Sequence, residues 1–222
     1  MTRPHLGPSA PLRQRRTRRL AAGLAALVTV ALAAVAPAAH ATAMPGPPGP
    51  EGIPLEKGRL LAPLKTTAQG RSVDGISCDA SEQVAYHVHS HLAVFVDGRL
   101  RPIPAGIGMV EPALYEMTVD GPFYAATRCY YWLHVHAPDG VIHIESPTAR
   151  TYTLGDFFDI WGQPLGSHEV AGARGVLHVF VDGRPYRGNP RNIRLGSHVD
   201  IQIDVGAPVV RPYSIDWRAT KL

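Results

Sequence analysis

Charge is scarce in this 222-residue chain: Asp, Glu, Lys and Arg make up 18%, against roughly 25% in an ordinary soluble domain. Acidic side chains are absent from the first 43 positions, which carry six arginines. The formal net charge of +4 is owed to that stretch. From residue 44 onward 16 Lys and Arg face 18 Asp and Glu, a net charge of −2, so the electrostatic case for a nucleic-acid or anionic-surface binder disappears. Long apolar runs are missing too, with one exception near the N-terminus. No Gly-x-Ser-x-Gly elbow, phosphate-cradling glycine loop or Cys-x-x-Cys occurs, which leaves nucleophilic-serine, nucleotide and dithiol chemistry without residues to carry them. What the chain does have is a hydrophobic content of 45%, enough for a core and too much for wholesale disorder. It also has 22 Gly and 21 Pro, which favour short elements joined by many turns.

The apolar exception is Leu20–Ala36, an Ala/Leu/Val run preceded by Arg13, Arg15, Arg16, Arg18 and Arg19 and followed by Ala39-His40-Ala41 and Ala41-Thr42-Ala43. A basic flank, a short apolar core and small-x-small cleavage patterns describe a secretory signal peptide over residues 1–43. The run is shorter than the roughly 20 residues of a membrane-spanning helix. Thr17-Arg18-Arg19-Leu20 also admits the twin-arginine route. The expected product is exported, with no integral membrane segment after cleavage. Residues 44–63 read as a Pro/Gly-rich linker, 64–210 as one β-rich, histidine-containing domain, and 211–222 as an irregular tail.

Only Cys78 and Cys129 are available for a disulfide. In an exported chain an isolated pair of this kind is expected to be oxidised; free thiols or thiolate ligation are the alternatives. Strand parity opposes ligation, since Cys129 falls on the apolar side of the strand that follows it.

Period-two alternation dominates the rest. Tyr86–Val96 reads as a strand with His87, His89, His91, Ala93 and Phe95 on one face. Asp97-Gly98 then signals a type I′ hairpin turn, with Arg99–Pro104 returning. Tyr130–His136 and Val141–Glu145 form a second hairpin about Ala137-Pro138-Asp139-Gly140. Pairing them so that His134 faces His143 segregates Leu133, Val135, Ile142 and Ile144 onto one face. Trp132, His134, His136, His143 and Glu145 then fall on the other, and a one-residue slip would mix the two sets. Thr153 with Asp156 three residues later suggests a capping box for a short helix over 153–161, stopped by Gly162 and Pro164. Val179-Phe180-Val181-Asp182-Gly183-Arg184 repeats Val94–Arg99 residue for residue, and Val199–Val205 is a final strand. The fold class is mainly β, an antiparallel sandwich or partly closed barrel built from hairpins, with one short helix.

The histidines carry the functional signal. Facing Cβ atoms in an antiparallel pair lie about 4.5–5.5 Å apart, and i,i+2 neighbours are roughly 6.6 Å apart along a strand. Imidazoles so placed can converge on one ion at about 2.0–2.1 Å. His134, His136 and His143 are therefore a candidate three-nitrogen set. His87, His89 and His91 span about 13 Å by the same rise, so they either complete that site in part or form a second one, and six imidazoles could hold a dinuclear centre. His178 is a further candidate ligand. Glu145, on the same face, is the candidate catalytic residue, with ligation or orientation of a ring as its other possible roles. Imidazole suits Zn and Cu ions alike. Scattered methionines and the absence of a thiolate argue against a Cu(I) carrier or a blue-copper centre.

The His134-x-His136 pair with His143 resembles the ligand arrangement of alpha-type carbonic anhydrases, without that family's flanking signatures. His87-x-His89 with His134-x-His136 is similar to paired motifs of multicopper oxidases, without their His-Cys-His element. Cupins also combine His-x-His, Glu and a later His, at other spacings. None of these transfers a role to a residue here. The expectation is an exported metalloprotein with a buried multi-histidine Zn or Cu site, as a metal-dependent hydrolase, lyase or oxidase. The alternative is a non-catalytic metal-binding or pH-responsive envelope or interaction domain. The metal ion is the one partner implied; oligomeric state is not readable.

Overall fold

The period-two stretches become the strands of a seven-stranded sheet. The computed structural model describes residues 42–43, 46–64 and 68–222, all within the unit spanning residues 39–222. The signal-peptide reading falls outside the described residues, except for Thr42–Ala43, which pair with Tyr213–Ser214.

The elements that position the site are β1 (Cys78–Asp79), β2 (Tyr86–Val96), β3 (Met109–Thr118), β4 (Gly121–Tyr131), β5 (Leu133–His134), β6 (Val141–Ser146), α1 (Leu154–Trp161), β7 (Leu177–Val181), β8 (Arg184–Tyr186) and β9 (Val199–Val205). The large sheet runs β8-β7-β9-β2-β6-β5, with Arg99–Leu100 pairing the end of β2. A three-stranded antiparallel sheet runs β1-β4-β3. The protein is mainly β, with several antiparallel sheets, one α-helix and no closed barrel among the described residues, consistent with a sandwich-like fold. Within the large sheet one pairing departs from the antiparallel expectation: β9 runs parallel to β2, Val199 opposite Ser90 through Val205 opposite Val96. That places β2 between β9 and β6, and its residues His89–Phe95 are all buried. Being covered on both faces accounts for the unbroken apolar run Leu92–Val96.

The hairpin turns form as their residues dictate. Asp97 and Gly98 have φ of 50° and 72°, and Asp182 and Gly183 have 50° and 71°. These are the paired positive values of a type I′ turn.

Helix α1 begins at a complete capping box: the Thr153 side chain accepts from the Asp156 amide, and the Asp156 carboxylate accepts from the Thr153 amide. Gly162 ends it in the left-handed region at φ 70°. Leu154, Phe157, Phe158 and Trp161 are fully buried in one core with Leu133, Val135, Ile142 and Ile144. The helix and the aliphatic face of β5–β6 thus form the hydrophobic interior, which leaves the opposite face for polar groups.

Cys78 and Cys129 form a disulfide, Cα–Cα 5.4 Å, which suits an oxidising, extracytoplasmic environment. Residues 46–63, read from sequence as a linker, run against the domain: Ile53 is fully buried, and Glu51 and Glu56 are almost so. The backbone is turn-rich as its Pro and Gly predict, but these side chains, with Leu61 and Ala62 in the main core, dock it. The 211–222 tail is likewise anchored, Tyr213 stacking on Phe95 and Trp217 on His198.

Candidate metal centre

Register does most of the assembly. β6 lies between β2 and β5, with His89 opposite His143, His87 opposite Glu145, and His134 opposite His143. Three adjacent strands therefore present His87 and His89, His143 and Glu145, and His134 on one face, at cross-strand spacings that let side chains touch. Val88, Ile144 and Leu133 point the other way, into the core. His136 follows β5 by two residues and turns its ring onto the same face, centroid 4.7 Å from His134 and 4.6 Å from His143.

Two overlapping groups have donor atoms close enough to hold a metal ion: His134, His136, His143 and Glu145, and His87, His89, His143 and Glu145, each within 4.8 Å of one another. The structure thus brings together six of the eight residues singled out from sequence. It separates the other two. His178 is exposed on β7 opposite Asp204, because the repeated hairpin places it near the far edge of the sheet. His91, though on the same face of β2 as His87 and His89, lies too far along the strand. Its Nε2 is 3.7 Å from Glu56 Oε1, and neither atom has a hydrogen-bond partner among the described residues.

The protonation pattern is informative. His134 Nδ1 lies 2.9 Å from the Tyr131 carbonyl oxygen, and His136 Nδ1 lies 2.7 Å from that of Tyr124. A carbonyl only accepts, so each Nδ1 carries a proton and donates it. Burial, reinforced by the neighbouring His136 and His143, pushes His134 well below the usual histidine range. Burial and then His143 push His136 down to about 4. Both rings are therefore neutral near pH 7, and each Nε2 is a bare lone pair. Yet the two Nε2 atoms face each other at 3.0 Å. Two buried acceptors with no proton between them repel. A cation removes the conflict: at metal–nitrogen bonds of 2.0–2.1 Å, cis nitrogen ligands sit about 2.9–3.4 Å apart. A backbone carbonyl that fixes the tautomer of a ring is also the usual outer support of a metal-binding histidine.

His143 behaves differently. Its Nδ1 is 3.2 Å from Glu145 Oε1 and its Nε2 is 2.7 Å from Glu51 Oε1. Burial alone would lower it, but the two carboxylates, Glu51 foremost, more than reverse this and hold it up to about 10. Burial opposes ionisation of Glu51 as well, but His143 draws it down to about 2. Asp139 beside it is raised well above the carboxylate range, by burial first and Glu51 second. His89 is pushed down to about 3 by burial and by His143 and His87, and its buried Nε2 has no partner among the described residues.

Glu145 sits among the rings: Oε1 is 3.0 Å from His87 Nε2, and Oε2 is 3.8 Å from His134 Nε2. Of the roles the sequence left open for Glu145, the position suits ligation better than proton transfer. Three carboxylates were not anticipated. Glu51 and Asp139 are buried, Glu51 against His143, and Glu82 lies 3.4 Å from His136 Nε2 with its side chain 35% exposed. Glu51 belongs to the Pro/Gly segment and Glu82 to the loop before β2, so no periodicity marked either.

A cavity of about 460 Å³ opens onto this face, lined by His87, His89, His136, His143 and Glu145 on one side and by Glu82, Phe123, His198 and Lys221 on the other. The Phe123 ring stacks on His136 at 4.5 Å. No known protein family, curated protein or solved structure matches this chain.

Proposed function

We propose that this is an extracytoplasmic metalloprotein whose His134, His136 and Glu145 hold a Zn or Cu ion at the floor of an accessible cavity, with His143 able to join them once it gives up a proton. The observation that carries the proposal is the pair of lone-pair nitrogens, His134 Nε2 and His136 Nε2, buried and facing each other at 3.0 Å. All-imidazole and carboxylate donors suit Zn(II) and Cu(II).

The cavity favours a reactive centre over a closed, structural one, since catalytic sites keep a coordination position open. Such an ion would supply a Lewis acid and an activated water for hydrolysis or hydration. The chain's own residues divide the remaining work. Tyr131 and Tyr124 carbonyls fix the ring tautomers, Phe123 walls the cavity, and Glu82, at its rim, accepts a proton. Burial first and then Glu145 raise Glu82 from its ordinary value, the direction that suits a general base.

The test is metal content and affinity. Protein freed of metal by chelation is titrated with Zn(II) and with Cu(II) by calorimetry, alongside His134→Ala and His136→Ala. Each variant is expected to bind at least about 100-fold more weakly, losing more than the 10–100-fold typical of an outer-shell change. Equal affinity in wild type and both variants would refute the proposal. Tight binding without turnover of any ester, carbonate or peptide substrate would favour metal capture over catalysis.

A further inference from the structure

The donor set is larger than one ion needs. Resting on the metal-binding reading above, we infer that the cluster holds two metal ions side by side, bridged by the Glu145 carboxylate. One is held by His134 and His136, and the other by His87 and His89.

Three observations carry this. First, the donors fall into two groups that meet at His143 and Glu145, and the remaining rings pair off by strand, His87 with His89 on β2 and His134 with His136 beyond them. Second, Glu145 turns one oxygen to each pair: Oε1 is 3.0 Å from His87 Nε2, and Oε2 faces His134 Nε2 at 3.8 Å. A carboxylate whose two oxygens address different ligand pairs is the shape of a bridge, and bridged ions about 3.5–4 Å apart are the usual two-metal arrangement. Third, the first ion leaves the second pair unexplained. His89 Nε2 is buried with no hydrogen-bond partner among the described residues, although its ring packs edge-on against His87 and His143 at 4.6 Å each. A buried polar nitrogen without a partner is costly, and an ion is the partner its neighbours can share. His143 stands between the pairs with both nitrogens against carboxylates, so it joins at most one ion and does not replace either pair.

The ligand chemistry is that of two borderline divalent cations with nitrogen and carboxylate donors. A pair of ions in one cavity can hold both the attacking and the leaving oxygen of a substrate. The class of substrate is therefore an ester, amide or phosphoester small enough for the cavity.

The experiment counts ions. Metal-free full-length protein is titrated with Zn(II) against a chromogenic chelator, and bound zinc is measured after gel filtration. Wild type should retain two ions per chain, His89→Ala one, and His134→Ala one. A wild type that saturates at one ion overturns the inference while leaving the metal-binding reading intact; a wild type that retains none overturns both. Because a variant can misfold, a second measurement uses wild type alone. With Cu(II), a bridged pair gives a half-field electron paramagnetic resonance signal and an integrated intensity well below the copper content. Full intensity from isolated ions overturns the inference.

Discussion

Glu56 offers a test of the fold that needs no metal. Its carboxyl is wholly enclosed beneath the Pro138–Gly140 turn, with its own backbone amide bonded to the Pro138 carbonyl at 2.8 Å. Neither side-chain oxygen has a hydrogen-bond partner among the described residues. His91 Nε2, 3.7 Å away, belongs to a ring that burial pushes down to about 4, against the opposing pull of the Asp139 carbonyl. A neutral ring cannot stabilise a carboxylate, and burial raises Glu56 from 4.5 to about 8. The sign follows directly. Between these values the folded protein keeps a proton that the unfolded chain has released. The stabilising contribution is therefore full below about 4.5 and is lost as pH rises toward 8. At about 1.4 kcal/mol per unit, the wild type loses on the order of 3 kcal/mol between pH 5 and 7.5 through this group alone.

Glu56→Gln keeps the shape and removes the titration. Urea unfolding of wild type and variant should give nearly equal stability at pH 5. At pH 7.5 the variant should be more stable by about 3 kcal/mol, which at ordinary urea slopes is a midpoint shift of about 1–2 M. The other titrating groups cancel in the difference between the two proteins. A difference that stays constant across that pH range would show that Glu56 is ionised in the fold and paired with a protonated His91, and the argument from burial would fail.

The disulfide closes a loop with a sequence separation of 51, so the double variant Cys78→Ser/Cys129→Ser should lose about 4 kcal/mol by the chain-entropy relation, read as a lower denaturation midpoint that reductant does not lower further. Gly108, at φ 73°, lies so close to β5 that a Cβ would land on the Leu133 carbonyl oxygen and within 2.9 Å of His134 Cα. Gly108→Ala should therefore displace the strand that carries His134 and weaken Zn(II) binding about as much as His134→Ala does. Unchanged calorimetric affinity would show that the strand can yield.

Much of this protein was legible along the chain because the relevant physics is local or nearly so. The Asp97-Gly98 turn, the Thr153–Asp156 capping box and the facing of His134 and His143 each rest on residues whose spacing leaves one good geometry; the cysteines, 51 positions apart, were legible because the chain has no others. The segregation of Leu133, Ile142 and Ile144 from the histidines follows from strand parity alone. Other features depend on which strands become neighbours, and nothing in a strand's own pattern names its partner. Parity put His91 on the same face as His87 and His89, but only the pairing of β2 with β6 set which of them meets His143. Its strand face made His178 a candidate, but its place near the sheet edge sets it apart from the other rings. Glu51, in a segment with no period to read, reaches His143 because that segment docks on the domain, with Ile53 and Glu56 buried as well. The amino-acid sequence determined the parts and the face each side chain would take; tertiary structure decided which faces would share a cavity, because long-range strand order is set by the packing of the whole core and not by any one segment.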